Sequence, residues 1–479
     1  LHRSSWLERL PLTPPTSKEL GPGSWVPNPS VLNASTPPSR KIGLWITTSL
    51  VVGNMVGSGV YLLPASLAPF GGISLLGWLF TAAGALMLAL VMARLARMYP
   101  EAGGPYAYTR RGLGDLPAFM VAWGYWISIC AGNAAIAVAF VGYTATFVPP
   151  LGRSPVLGAG TALATIWMLT WVNARGVKDA GILQFWTTIL KLLPLVALGT
   201  LGLLYLDPGH FTPFNPSGRE PLNAITATAT LTLWAFLGLE SATVPADSVS
   251  EPERTIPRAT ILGTLLAAAV YILATLGVMG ILPAEVLATS TAPFADAGRM
   301  VWGDWAGWAI AAGAAIAAFG ALNGWILLQG QMPLAAARDG LFPAVFRRLS
   351  PRGTPAAGLA LSSALVTGLM ALNFTSSLVD QFTFIILLST LSVLVPYVFS
   401  SLAELVIFVR ERERFSGERL LGASVMAVLA LAYSLWAVVG SGVEIILWGS
   451  LLFLAGVPVY LYQVRKGVSR AGKPEDDMT

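Results

Sequence analysis

Apolar residues in this chain run in long unbroken blocks, with neither the narrow stripe of a surface helix nor the alternation of a strand. Twelve such blocks follow one another, at about 43–70, 72–98, 117–148, 156–175, 180–206, 222–246, 258–282, 305–335, 356–375, 380–409, 420–440 and 444–464. Each has roughly the 20 residues that an α-helix needs to cross a hydrocarbon layer. They are too long and too evenly apolar for barrel strands. The pattern predicts an all-α polytopic membrane protein with twelve transmembrane helices. Residues 1–39 are rich in Pro and Ser without periodicity and are expected to form a disordered tail. A second short tail at 467–479 is expected to flank a membrane domain at 40–466.

Two blocks are interrupted at membrane depth. The first carries Gly53-Asn54-Met55-Val56-Gly57-Ser58-Gly59 at its centre. Glycine costs about 1 kcal/mol relative to alanine inside a helix, so Gly57-Ser58-Gly59 invites local unwinding. Unwound backbone is tolerated there only where it is buried in protein or lines a polar cavity. Its freed N–H groups suit a carboxylate and its freed C=O groups an ammonium. Gly53-x-x-x-Gly57 also fits the close packing of an ordinary helix pair. The sixth block, with Gly238 and Glu240 inside Thr232–Ser241, is interrupted too. Helices one and six are five apart and enter from opposite sides. Paired interruptions in two inverted halves point to a transporter whose site lies between them.

Composition sharpens the class. The chain has 479 residues, 55% hydrophobic and only 11% charged, against roughly 25% charged in a soluble domain. Its mean hydropathy is +0.68. A net charge of +5 scattered over the loops does not suggest nucleic-acid binding. One cysteine, Cys130, and two histidines, His2 and His210, supply no disulfide, metal site or nucleophile set. Neither an enzyme nor a cofactor is expected. With the first helix entering from the cytoplasm, 22 Lys and Arg fall on the cytoplasmic side and only Arg153, Arg219 and Arg299 opposite. That bias places both termini in the cytoplasm of a multi-pass inner-membrane protein.

The stretches GNMVGSGVYLLPASLAPFGG at 53–72, GGPYAYTRRGLG at 103–114 and LWAFLGLESATVPA at 233–246 carry a family resemblance. AARDGLFP at 336–343, LVPY at 394–397 and WAVVGSG at 436–442 add to it. From about 41 to 465 the chain resembles the amino acid–polyamine–organocation transporter superfamily, and within it the bacterial arginine/agmatine antiporters. The resemblance implies a LeuT-type inverted repeat, helices 1–5 at about 43–206 and helices 6–10 at about 222–409, with helices 11–12 following at about 420–464. It also implies a homodimer.

What it implies for the site is specific. Gly57, Ser58 and Gly59 would take the substrate carboxylate, and carbonyls near Met55, Trp234 and Leu237 the α-ammonium. Trp234 would cover the bound substrate, and a guanidinium would stack on Trp325 by cation–π attraction. Asn133 and Ser389 would contact the substrate side chain, unless they serve as plain interhelical hydrogen bonds. Tyr106 would be a cytoplasmic pH-responsive gate, Tyr397 a gating position, and Glu240 a protonatable switch.

Lys191 and Glu404 are the other charges within apolar segments. Glu404, near a helix end, is expected to reach the interface and to be structural. Lys191 departs from the arginine/agmatine pattern and looks like proton-coupled relatives, where an ammonium replaces the sodium ion of sodium-coupled cousins. Ile129 and Ile136, with Ser128 beside them, also depart from that pattern. The reading is therefore an antiporter exchanging arginine for agmatine by alternating access. A proton-coupled symporter or exchanger of neutral or broad-range amino acids stays open, as does a sensor that binds an amino acid without moving it. The expected partners are a small amino acid or amine and the lipid bilayer.

Overall fold

The structure is a computed structural model, and it describes residues 41–471 apart from 58, 291, 373–377, 415–416 and 441–442. Side chains at 372–391, 414–419, 444–445 and 467–471 are also outside the description. The expected tail at 1–39, residues 472–479 of the second tail, Ser58 and the Ser389 side chain therefore lie outside the described residues, while 467–471, expected to be tail, continue the last helix. The helices that carry the argument are α1 (Leu44–Met55), α2 (Ser74–Met98), α3 (Pro105–Leu113) and α4 (Asp115–Ala145). They continue with α5 (Pro155–Arg175), α6 (Val177–Thr200), α7 (Pro221–Leu233), α8 (Pro252–Ile281), α9 (Pro293–Trp302) and α10 (Asp304–Arg338). The last four are α11 (Ala356–Leu372), α12 (Leu378–Arg410), α13 (Gly417–Gly440) and α14 (Val443–Ala471). Among the described residues there is no strand, only an isolated bridge between Ile42 and Val249.

Nine helices among the described residues are long and apolar enough to cross a membrane. The other three predicted blocks fall on shorter apolar helices at 44–55 and 356–371 and on α7, which breaks. Large apolar side chains such as Trp45, Leu204 and Val439 face outward, as lipid contact requires and water would not favour.

Packing repeats itself across the two halves. Helix α1 packs on α8 while α7 packs on α2, and α6 packs on α10 while α12 packs on α4. Likewise α5 meets α4 and α10, while α11 meets α10 and α4. Exchanging the halves turns each pair into the other, the signature of a repeat built twice. The long central pair α4–α10 is its own counterpart.

Both predicted interruptions are present. Helix α1 stops at Met55; Val56 has left helical geometry at φ −79° and ψ 85°, and a short turn resumes at Gly59. A Cβ on Gly59 would lie 2.7 Å from Trp234 Nε1, so only glycine lets the sixth segment approach this closely. Helix α7 ends at Leu233, tightens over Trp234–Phe236 and becomes extended at Leu237. Gly238 follows at φ +105°, where a side chain would be strained and would meet Asn54 and Trp325. Beyond it the chain runs in turns to Ser248, not as a second regular helix.

Candidate functional site

Between the two breaks lies a cavity of about 760 Å³. Met55, Gly57 and Gly59 line it from the first break, Trp234 and Leu237 from the second, and Trp325 from α10. The structure thus brings together six of the predicted substrate residues. The lining continues along the C-terminal half of α4 to Tyr143 and Thr146, and along the N-terminal half of α10 through Ile310. Ile129 and Ile136 are part of this wall. Backbone N–H and C=O groups released by the breaks stand in a mostly apolar lining that also holds polar side chains such as Asn54, Ser128 and Arg299.

Of the other predicted residues that the structure describes, Asn133, Tyr106, Lys191, Glu240 and Tyr397 do not line the cavity. Asn133 is buried on α4 and donates through Nδ2 to Gln329 Oε1 at 2.8 Å, and Gln329 donates on to Ser363 at 2.8 Å. Its Oδ1 has no partner among the described residues. Glu240 is fully buried behind the cavity wall. Tyr125 donates to its Oε1, and Tyr397 donates to its Oε2 at 2.5 Å. Tyr397 also accepts from Gly238 N at 3.3 Å, so it ties α12 to the second break. Tyr125 in turn stands edge-on to Trp325, with ring centroids 6.3 Å apart.

Lys191 sits on α6, buried with no exposure. Its Nζ donates to Gly53 O at 2.6 Å, before the first break. Its own carbonyl accepts from Tyr61 Oη at 2.9 Å, after that break. One residue therefore holds both flanks of the unwound turn.

Sequence reasoning missed a buried amide network joining the broken helices to their surroundings. Asn54 Nδ2 donates to Ser241 Oγ at 2.8 Å, linking the first break to the segment after the second. Gln184 Nε2 donates to Asn54 Oδ1 at 3.5 Å, Asn323 Nδ2 to Gln184 Oε1 at 3.1 Å, and Asn173 Nδ2 to Asn323 Oδ1 at 3.1 Å. Polar side chains inside apolar runs are costly in lipid, so Gln184 and Asn323 carried a legible signal. Tyr125 carried none, because tyrosine is ordinary in such helices.

The Arg-rich face is closed beneath the cavity. Gly103 and Gly104, at φ +102° and +49°, launch α3 against the segment after the second break. A Cβ on Gly104 would lie 2.1 Å from Thr243 Oγ1, and Gly103 N donates to Val244 O at 2.9 Å. Tyr106 Oη donates to Asp339 Oδ2 at 2.7 Å, and Arg110 pairs with the same oxygen at 2.7 Å. Arg338 pairs with Asp247 at 2.6 Å. Burial, and then the charge of Asp339, pushes the Tyr106 phenol well above the ordinary tyrosine range. Tyr106 therefore stays a hydrogen-bond donor at neutral and acid pH, and an acid response of this latch has to enter through another of its groups.

Glu404 does not reach the interface as its position suggested. It is fully buried and takes a bidentate pair from Arg94, Nε to Oε1 and Nη2 to Oε2, both at 2.7 Å. The pair joins α2 to α12. Breaking a buried ion pair costs about 3 kcal/mol or more because the other charge is left uncompensated. Glu404→Gln is expected to lower the thermal unfolding midpoint of the detergent-solubilised protein. An unchanged midpoint would show the pair to be dispensable.

Two inverted, interrupted helices around a shared central cavity, closed on one face and held by buried charges, define a membrane transporter rather than an enzyme. The chain belongs to the amino acid permease family, whose model matches residues 42–457. It is 40% identical over 338 residues to the cadaverine/lysine antiporter of Escherichia coli strain K12, covering 70% of this chain and 75% of that one. It is 32% identical over 423 residues to the putrescine transporter PotE of Haemophilus influenzae, covering 88% of this chain and 97% of that one.

Proposed function

We propose that this protein exchanges a cationic amino acid for an amine across the bacterial inner membrane by alternating access, with its Arg-rich face in the cytoplasm. The carrying observation is the cavity itself: the freed backbone of both breaks and the Trp325 face line one space. The first break suits the carboxylate and ammonium common to amino acids. Trp325 suits a cationic side chain. With the Arg-rich face latched and the cavity reaching the opposite one, the described conformation is the outward-facing half of the cycle.

Among substrate pairs the specific proposal is arginine for agmatine, weighed against lysine for cadaverine because a relative is named for that pair. A second reading, broad or neutral amino acids, is favoured by the apolar wall of Ile129 and Ile136. Coupling to protons through Glu240 and Lys191 fits either reading.

Reconstituted liposomes separate these readings. Liposomes loaded with unlabelled agmatine, cadaverine or leucine are offered labelled arginine, lysine or leucine, with and without a pH gradient. Exchange predicts uptake only against an internal substrate, fastest for arginine against agmatine. Uptake driven by the gradient alone supports symport, and binding without flux supports a sensor. Leucine uptake outrunning arginine under every condition would overturn the cationic reading.

A further inference from the structure

Among the described residues the cavity lining contains no aspartate or glutamate and a single charged side chain, Arg299. It lies on α9, at the mouth opposite the latched face. It is one of three basic residues that the loop-charge pattern assigns to that face. Its Nη1 pairs with Asp296 Oδ1 at 2.9 Å, and Asp296 Oδ2 accepts from Ser290 Oγ at 2.5 Å. Asp296 itself is not part of the lining, so the pair turns its cationic end to the cavity. The place is built for this side chain. A Cβ on Gly307 would lie 2.5 Å from both Arg299 Cγ and Nε, so α10 leaves room for the arginine stem only because glycine stands there.

We infer that Arg299 is a specificity-determining residue at the cavity mouth, favouring a substrate that carries a carboxylate over its decarboxylated amine. The inference rests on the exchange reading and assigns it a direction. For a diamine arriving from this face, the charged side chain in the described lining has its own sign. An amino acid of the same side chain brings a carboxylate that the guanidinium attracts and can bind in bidentate fashion. The same asymmetry speeds release of an amine that has just been carried outward. Exchange of amino acid inward for amine outward is thereby biased at the mouth, before the substrate reaches the breaks.

The test uses the full chain in liposomes preloaded with unlabelled lysine, and compares labelled lysine with labelled cadaverine. Arg299→Gln is expected to raise the half-saturating concentration for lysine about fivefold, the scale of one partly exposed charge pair. That for cadaverine is expected to stay level or fall. Arg299→Lys should restore most of the difference, and Gly307→Ala, which displaces the guanidinium without removing it, should reproduce part of the loss. Equal shifts for both substrates, or none, would overturn the inference. A wild type that carries none of arginine, agmatine, lysine and cadaverine would end the exchange reading instead. The inference would then be read by tryptophan-fluorescence titration with leucine and isoamylamine, and an Arg299→Gln variant that keeps the wild-type preference for leucine would overturn it.

Discussion

Trp325→Leu is expected to reduce trans-stimulated uptake of arginine or lysine to background while sparing neutral amino acids. The indole forms the cavity wall between the two breaks, on the long α10 helix. Tyr125 packs edge-on behind it, and Gly238 leaves space for its ring at the second break. A desolvated cation over such a face gains about 2 kcal/mol, a factor of roughly 30 in affinity. Leucine keeps the apolar lining but has no π face to offer. Trp325→Phe is expected to fall between, because a smaller ring offers a weaker cation–π surface. The measurement is initial uptake against internal substrate, with leucine uptake as the internal control. Near-normal arginine uptake in Trp325→Leu would remove the cation–π assignment. Equal loss for arginine and leucine would place Trp325 in the scaffold rather than in recognition.

The interruptions were legible because they rest on local chemistry. Glycines inside apolar runs are visible in the chain, and the structure breaks α1 at Met55 near Gly57 and Gly59 and α7 at Leu233 near Gly238. The buried charges were legible for a similar reason, since Lys191 and Glu240 have no inexpensive place in lipid. Partners were not legible. Tyr125 reaches Glu240 across 115 positions and Arg94 reaches Glu404 across 310, and no periodicity encodes such pairs. Asn133 shows the limit most plainly. The family resemblance implied contact with the substrate side chain, with an interhelical hydrogen bond as the alternative, and Asn133 Nδ2 donates to Gln329 on α10. The Arg299 side chain went unremarked as chemistry, because in the sequence it was one of three exceptions to a charge count. Only the cavity shows what it faces.

Lys191→Ala is expected to slow exchange tenfold or more and to flatten its dependence on pH, while the protein still folds and inserts. Lys191 binds the carbonyl of Gly53 through Nζ and receives Tyr61 through its own carbonyl, so it spans the unwound turn from outside. Alternating access requires the flanks of that turn to move relative to α6, and a hydrogen-bonded ammonium resists such motion until it lets go. Removing the side chain deletes the contact to Gly53 and leaves the one from Tyr61, which needs only main chain. Lys191→Met keeps the volume and separates packing from charge: it is expected to match alanine in rate but to unfold at a higher temperature. Both variants are compared with wild type for exchange between about pH 5 and pH 8. If lysine serves only as a filler, methionine should restore the rate, and the pH profile should survive both substitutions. If it serves as the releasable clamp, neither variant recovers the wild-type profile, and substrate binding at the Gly57–Gly59 turn persists without turnover.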